Sequence, residues 1–72
     1  MRKRSIAIGG HSTSVTLEDP FWEELQALAR AQNTTLSALV AEVDRAKGAR
    51  GNLSSALRLH VLEALRRKIN RA

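Results

Sequence analysis

A mainly α domain with one short β-strand, paired across a two-fold axis with a second copy of itself, is the fold class this sequence predicts. Three observations predict it. Polar and apolar residues alternate from Ser12 to Leu17, with β-branched residues and no strong helix former among them. Three amphipathic helix patterns follow, each with its own start signal. The last of these carries more apolar surface than one small neighbour covers, and a partner chain is the natural recipient. A strand without a sheet must also find partners for its amides, and another copy supplies them economically, as an intersubunit antiparallel β-ribbon in an intertwined homodimer.

Taken in order, residues 1–10 read either as a basic arm or as the first strand of a hairpin. Arg4-Ser-Ile-Ala-Ile8 alternates weakly, and Gly9-Gly10 is able to close a turn onto the strand at 11–17. A helix is expected over 19–32. Asp19 is placed to accept from its free amides, Pro20 suits its first position, and Glu23 and Glu24 favour its positive end. Phe21, Leu25, Leu28 and Ala29 form its stripe with Trp22 beside it, and Asn33 suits a left-handed cap. Thr34-Thr35 then caps a helix over 35–47, whose Leu36, Leu39, Val40 and Val43 keep helical spacing. Gly48-Ala-Arg-Gly51 breaks the chain. Asn52, or Ser54 just inside, opens a helix over 53–69 with Leu53, Leu57, Val61 and Leu65 in one stripe and Leu59, Leu62 and Ile69 beyond it. The core of the dimer is expected from Val15, Leu17, Trp22, Leu36, Leu39, Val40, Val43, Leu57, Val61 and Leu65.

Composition excludes several classes. The 72 residues suit a single domain with a marginal core of its own. The absence of cysteine removes disulfides and thiolate metal sites as staples, and leaves oligomerisation. His11 and His60 have no metal-ligand spacing, so structural roles are expected for both and no metal or cofactor is expected. Ser54-Ser55 has no Asp-His pair to activate it, and Glu23-Glu24 diverge around a helix, so no enzyme is expected. No apolar run approaches the ~20 residues of a membrane span, and Ile6-Ala7-Ile8 is too short for a signal-peptide core. A cytoplasmic, nucleoid-associated protein fits. Charge is unevenly spread: residues 1–17 hold three bases and no acid, 18–47 six acids against three bases, and 48–72 six bases against one acid. The overall +5, with cations at both ends, points to a polyanionic partner. Arg66, Arg67, Lys68 and Arg71 also complement a helix C-terminus.

The series Thr13-Ser-Val-Thr-Leu17, Glu18-Asp-Pro20 with Phe21, Leu25 and Leu28, and Asn33-Thr-Thr-Leu36 resembles the ribbon-helix-helix superfamily of the Arc and methionine repressors. More narrowly, His11–Trp22 together with Asn52-Leu-Ser-Ser-Ala-Leu-Arg58 resembles a small bacterial ribbon-helix-helix family with a third helix. The resemblance implies a ribbon in the major groove of double-stranded DNA, with Ser12, Ser14 and Thr16 facing base edges and Thr13, Val15 and Leu17 covering the helices. It implies phosphate contacts at the opening of the second helix, at Thr35, Leu36 and Ser37, where free amides favour an anion. Arg2, Lys3 and Arg4 would supply further phosphate contacts. The sequence departs from the family in its readers. Three short hydroxyls read a base edge ambiguously, where bidentate side chains discriminate by ~1–3 kcal/mol each.

Two function classes follow. The first is a homodimeric DNA-binding transcriptional regulator. The second is a dimeric antitoxin-like or adaptor module that uses the same fold to hold another protein. Antitoxins of this fold commonly carry an extended C-terminal segment, and the expected closing helix here tilts the reading toward the regulator.

Overall fold

The computed structural model describes residues 2–48 and 51–70, apart from the side chains of Arg2 and His11. Two strands open the chain, β1 (Arg2–Ile8) and β2 (His11–Leu17), followed by α1 (Asp19–Ala31), α2 (Leu36–Lys47) and α3 (Leu53–Ile69). The strands pair antiparallel as a hairpin, in a register running from Ile8 opposite His11 to Arg2 opposite Leu17. Gly9 and Gly10 form its two-residue loop with φ of 53° and 86°. Positive φ at both central positions is what a type I′ turn requires, and that turn matches the right-handed twist of the strands.

The hairpin puts two strands where one lone strand was expected, because Arg2–Ile8 form β1 beside β2. Its physical cause is a second apolar row. Ile6 and Ile8 are buried beside Val15 and Leu17, so pairing within the chain doubles the apolar face the ribbon offers the helices. β1 fills one edge of β2, and the other edge, where a second copy would pair, lies outside the hairpin.

The helices begin and end where local chemistry stops them. Glu18 is the residue before α1 and makes no side-chain cap, and Asp19 lies inside the first turn. At the other end Thr34 N–H donates to Ala29 O at 2.9 Å and Asn33 N–H to Arg30 O at 3.0 Å, with Asn33 at φ 57°. That paired closure around a left-handed residue is a Schellman motif. Thr35 Oγ1 accepts from Ala38 N–H at the start of α2, and Asn52 Oδ1 accepts from Ser55 N–H at the start of α3.

One core joins all five elements. Ile6, Ile8, Val15 and Leu17 of the hairpin meet Leu25 and Ala29 of α1, Leu39, Val40 and Val43 of α2, and Leu57 and Val61 of α3. α2 lies against β1, α3 against β2, and α2 and α3 against each other. The residues expected at the centre of a dimer thus divide. Val15, Leu17, Leu39, Val40, Val43, Leu57 and Val61 are buried within a single chain, Trp22 and Leu36 are half-buried, and Leu65 is exposed. Leu65 lies one turn beyond Val61, at the edge of the contact with α1, and is 37% exposed. With Leu59, Leu62 and Ile69 it remains on the surface, Ile69 at 80% of its full exposure. Among the described residues no helix is long and apolar enough to cross a membrane.

Candidate nucleic-acid interface

Because side chains alternate along a strand, the register sorts the hairpin into two faces. Arg4, Ile6 and Ile8 share the inner face with Thr13, Val15 and Leu17. Lys3, Ser5 and Ala7 share the outer face with Ser12, Ser14 and Thr16, in the opposed pairs Lys3–Thr16, Ser5–Ser14 and Ala7–Ser12. Thr16 is half-exposed and the other five are exposed. The structure thus brings the three hydroxyl residues singled out in the sequence onto one open face. It adds Ser5 and Ala7, which only the pairing of β1 reveals, and Lys3, the one charged side chain of that face among the described residues.

Lys3 and Arg4 lie on opposite faces of β1. Lys3 points outward with the hydroxyls. Arg4 points the other way, its guanidinium 4.6 Å from the centroid of the Trp22 ring and 3.3 Å from Asp19 Oδ1. This departs from the role the sequence reading gave Arg4, and its cause is the period of two that puts residue 4 on the face of Ile6 and Ile8. Arg4 Nε is buried without a hydrogen-bond partner among the described residues. Arg2 begins β1 opposite Leu17, and its side chain lies outside the described residues, as do that of His11 and the whole of Arg71.

The hairpin's edges can be told apart. Ile8 and His11 flank a two-residue loop and so form a hydrogen-bonded pair, and pairs alternate from there. Lys3–Thr16 is then a pair whose amides point away from each other. Thr16 N–H accordingly donates out of the sheet, to Ser54 Oγ at 3.0 Å. Beside it, Arg58 Nε donates to Glu18 Oε1 at 3.1 Å. Glu18 is held below the ordinary carboxylate range, first by its own backbone amide and second by Arg58. Neither contact is foreseen from the sequence, where Ser54 reads as part of a helix opening. The available signal is that Ser54 and Arg58 are four apart along the flank of the Leu53, Leu57 and Val61 stripe.

At the opening of α2, Thr35 supplies the cap and its carbonyl accepts from Leu39 N–H at 3.0 Å. The amides of Leu36 and Ser37 keep no partner among the described residues, and no acid stands in that first turn. Free amides with the helix dipole behind them suit a phosphate oxygen. At the other extreme of the chain, Arg66, Arg67 and Lys68 are exposed in the last turn of α3. His60 is half-buried on α3, its Nε2 enclosed without a partner among the described residues. Among the described residues no three His, Cys, Asp or Glu side chains come together to hold a metal ion.

A family model described as a ribbon-helix-helix domain matches residues 1–65, from the first residue of the chain to near the end of α3. No curated protein and no solved structure matches the chain.

Proposed function

The chain belongs to the ribbon-helix-helix family, and on that premise we propose that it is a homodimeric DNA-binding regulator that lays the outer face of its β1–β2 hairpin in the major groove. Domains of this family generally bind DNA and dimerise. The observation that carries the reading is the outer face itself. Its six side chains are Lys3 and five short ones, so the ribbon is thin and sterically open, and a major groove about 12 Å wide admits a two-stranded ribbon. Ser12, Ser14 and Thr16, with Ser5 beside them, would meet base edges. Lys3 and the open amides of Leu36 and Ser37 would meet phosphates. In this reading affinity comes mainly from the backbone contacts, and the hydroxyls contribute a modest sequence preference.

The second copy is expected to cover the exposed flank of α3, where Leu62, Leu65 and Ile69 stand in one helical row. The same row supports the second reading, a dimeric adaptor or antitoxin-like module, if a different protein occupies it. The deciding experiment pairs light scattering with a fluorescence-anisotropy titration at several salt concentrations, on a selected duplex and a scrambled one. The regulator reading expects a dimer whose affinity falls steeply with salt and which prefers the selected duplex. A protein that binds neither duplex at low salt refutes it and favours the adaptor.

A further inference from the structure

We propose that Ser54 of α3 is a positioning residue for DNA recognition: it fixes the end of β2 so that Thr16 is presented to the bases at a set height and twist. The inference rests on the DNA-binding reading above and names a residue outside the ribbon that tunes it.

Three observations carry it. Ser54 is spare as far as its own helix is concerned, since Asn52 Oδ1 already accepts from Ser55 N–H at 2.8 Å. The Thr16 amide is on the outward edge of the hairpin, where β1 offers no acceptor, and Ser54 Oγ supplies one at 3.0 Å. One turn further along α3, Arg58 holds Glu18 at 3.1 Å, two residues beyond Thr16. The two attachments are commensurate. Four residues of helix advance about 6 Å, and two residues of extended chain advance about 6.6 Å. Ser54 and Arg58 therefore grip Thr16 and Glu18 as a pair of matched points, fixing the axial position of the strand end and its rotation. Ser14, two residues back, has no such attachment from α3 among the described residues. Of the four hydroxyl residues on the outer face, Thr16 is, among the described residues, the one whose backbone is clamped by a side chain from another element.

A hydroxyl on a β-branched side chain reads a base edge only if its backbone holds still, because it makes one hydrogen bond and cannot correct its own register. Loss of the clamp should lower the sequence preference and leave the charge-driven affinity intact. The test uses the full chain as Ser54→Ala and as Ser54→Thr, which retains the hydroxyl. Two measurements are made: hydrogen exchange at the Thr16 amide, and the ratio of affinities for a selected over a scrambled duplex. Ser54→Ala should speed exchange at Thr16 by about two- to tenfold, the range that one net hydrogen bond represents, and lower the affinity ratio similarly. Exchange at Leu57 and Val61 should stay at the parent rate, showing that α3 is still folded. Ser54→Thr should restore both quantities.

An unchanged affinity ratio in Ser54→Ala overturns the inference and leaves the DNA-binding reading standing. So does a parent protein that binds both duplexes alike, since there is then no preference to set. A parent that binds no duplex overturns the inference together with the reading beneath it. Matching losses of protection at Thr16, Leu57 and Val61 also overturn it, because Ser54 would then be supporting the whole helix and not the strand end.

Discussion

Arg4 lies with its guanidinium 4.6 Å from the centroid of the Trp22 ring, and so ties the first strand to the first turn of α1. A cation over an aromatic face at this range is attracted by the ring's electron density. The same guanidinium reaches Asp19 at 3.3 Å, inside the first turn of α1. A residue that sequence reading grouped with two DNA-contacting cations thereby takes part in holding the hairpin to the helices. Lys3, its neighbour, stays on the outer face.

This division predicts opposite consequences for adjacent substitutions. Arg4→Ala should cost about 1 kcal/mol, from a partly exposed cation–π contact and a weak surface ion pair, lowering the melting temperature by about 5 °C. Lys3→Ala should leave the melt within about 0.5 kcal/mol of the parent. In DNA titrations the order reverses. Lys3→Ala should reduce the log–log salt slope by about 0.9 per lost contact, hence by about two in a dimer. Arg4→Ala should leave that slope near the parent value. Equal slopes for the two variants contradict the assignment of faces.

The same two faces predict a contrast within β2. Val15 and Leu17 are essentially without exposure, and Val15→Asp or Leu17→Asp would bury a charge with no partner at a cost of several kcal/mol. Typical domains have only ~5–15 kcal/mol to lose, and one this small sits at the low end. Circular dichroism should show no cooperative melt for either variant. Ser14→Asp, one residue away on the outer face, should melt like the parent and lose DNA affinity through repulsion from phosphates. A cooperative parental melt for Val15→Asp would show the phase of the strand to be inverted.

Removal of α3 should be felt as loss of core. Leu57 and Val61 are buried against the hairpin, α1 and α2, and truncating one large buried side chain typically costs ~2–5 kcal/mol. A chain ended at Gly51 should therefore aggregate or melt without cooperativity in calorimetry. A shortened chain that melts like the parent would mean that α3 is a docking arm, and the adaptor reading would gain.

Acid should loosen the attachment of α3 to the hairpin. Glu18 has its pKa lowered in the folded chain by its own amide and by Arg58. A carboxylate whose folded pKa is depressed contributes stability that is complete above its unfolded pKa and is lost as pH falls through the folded one. In an NMR titration the Glu18 carboxyl should titrate below the ordinary glutamate range. Arg58→Met should raise its midpoint. A Glu18 midpoint unmoved by that substitution would show that the amide alone sets it.

The sequence alone determined the helices, because their signals are local. Thr35 and Asn52 cap the helices they precede, Asn33 turns left-handed where α1 stops, and the stripe of Leu39, Val40 and Val43 is the buried face of α2. It also determined the phase of β2, since alternation from Ser12 to Leu17 leaves one apolar row to bury. The partner of that strand was open, because a Gly-Gly turn permits a hairpin and does not compel one. Only burial of Ile6 and Ile8 in a core shared with helices farther along the chain makes β1 a strand, and with it places Arg4 inward and Lys3 outward. Ser54 on Thr16 and Arg58 on Glu18 span 38 and 40 residues. Contacts of that kind leave no periodicity in the chain, since they depend on how α3 lies across β2, and only the packed tertiary structure decides that.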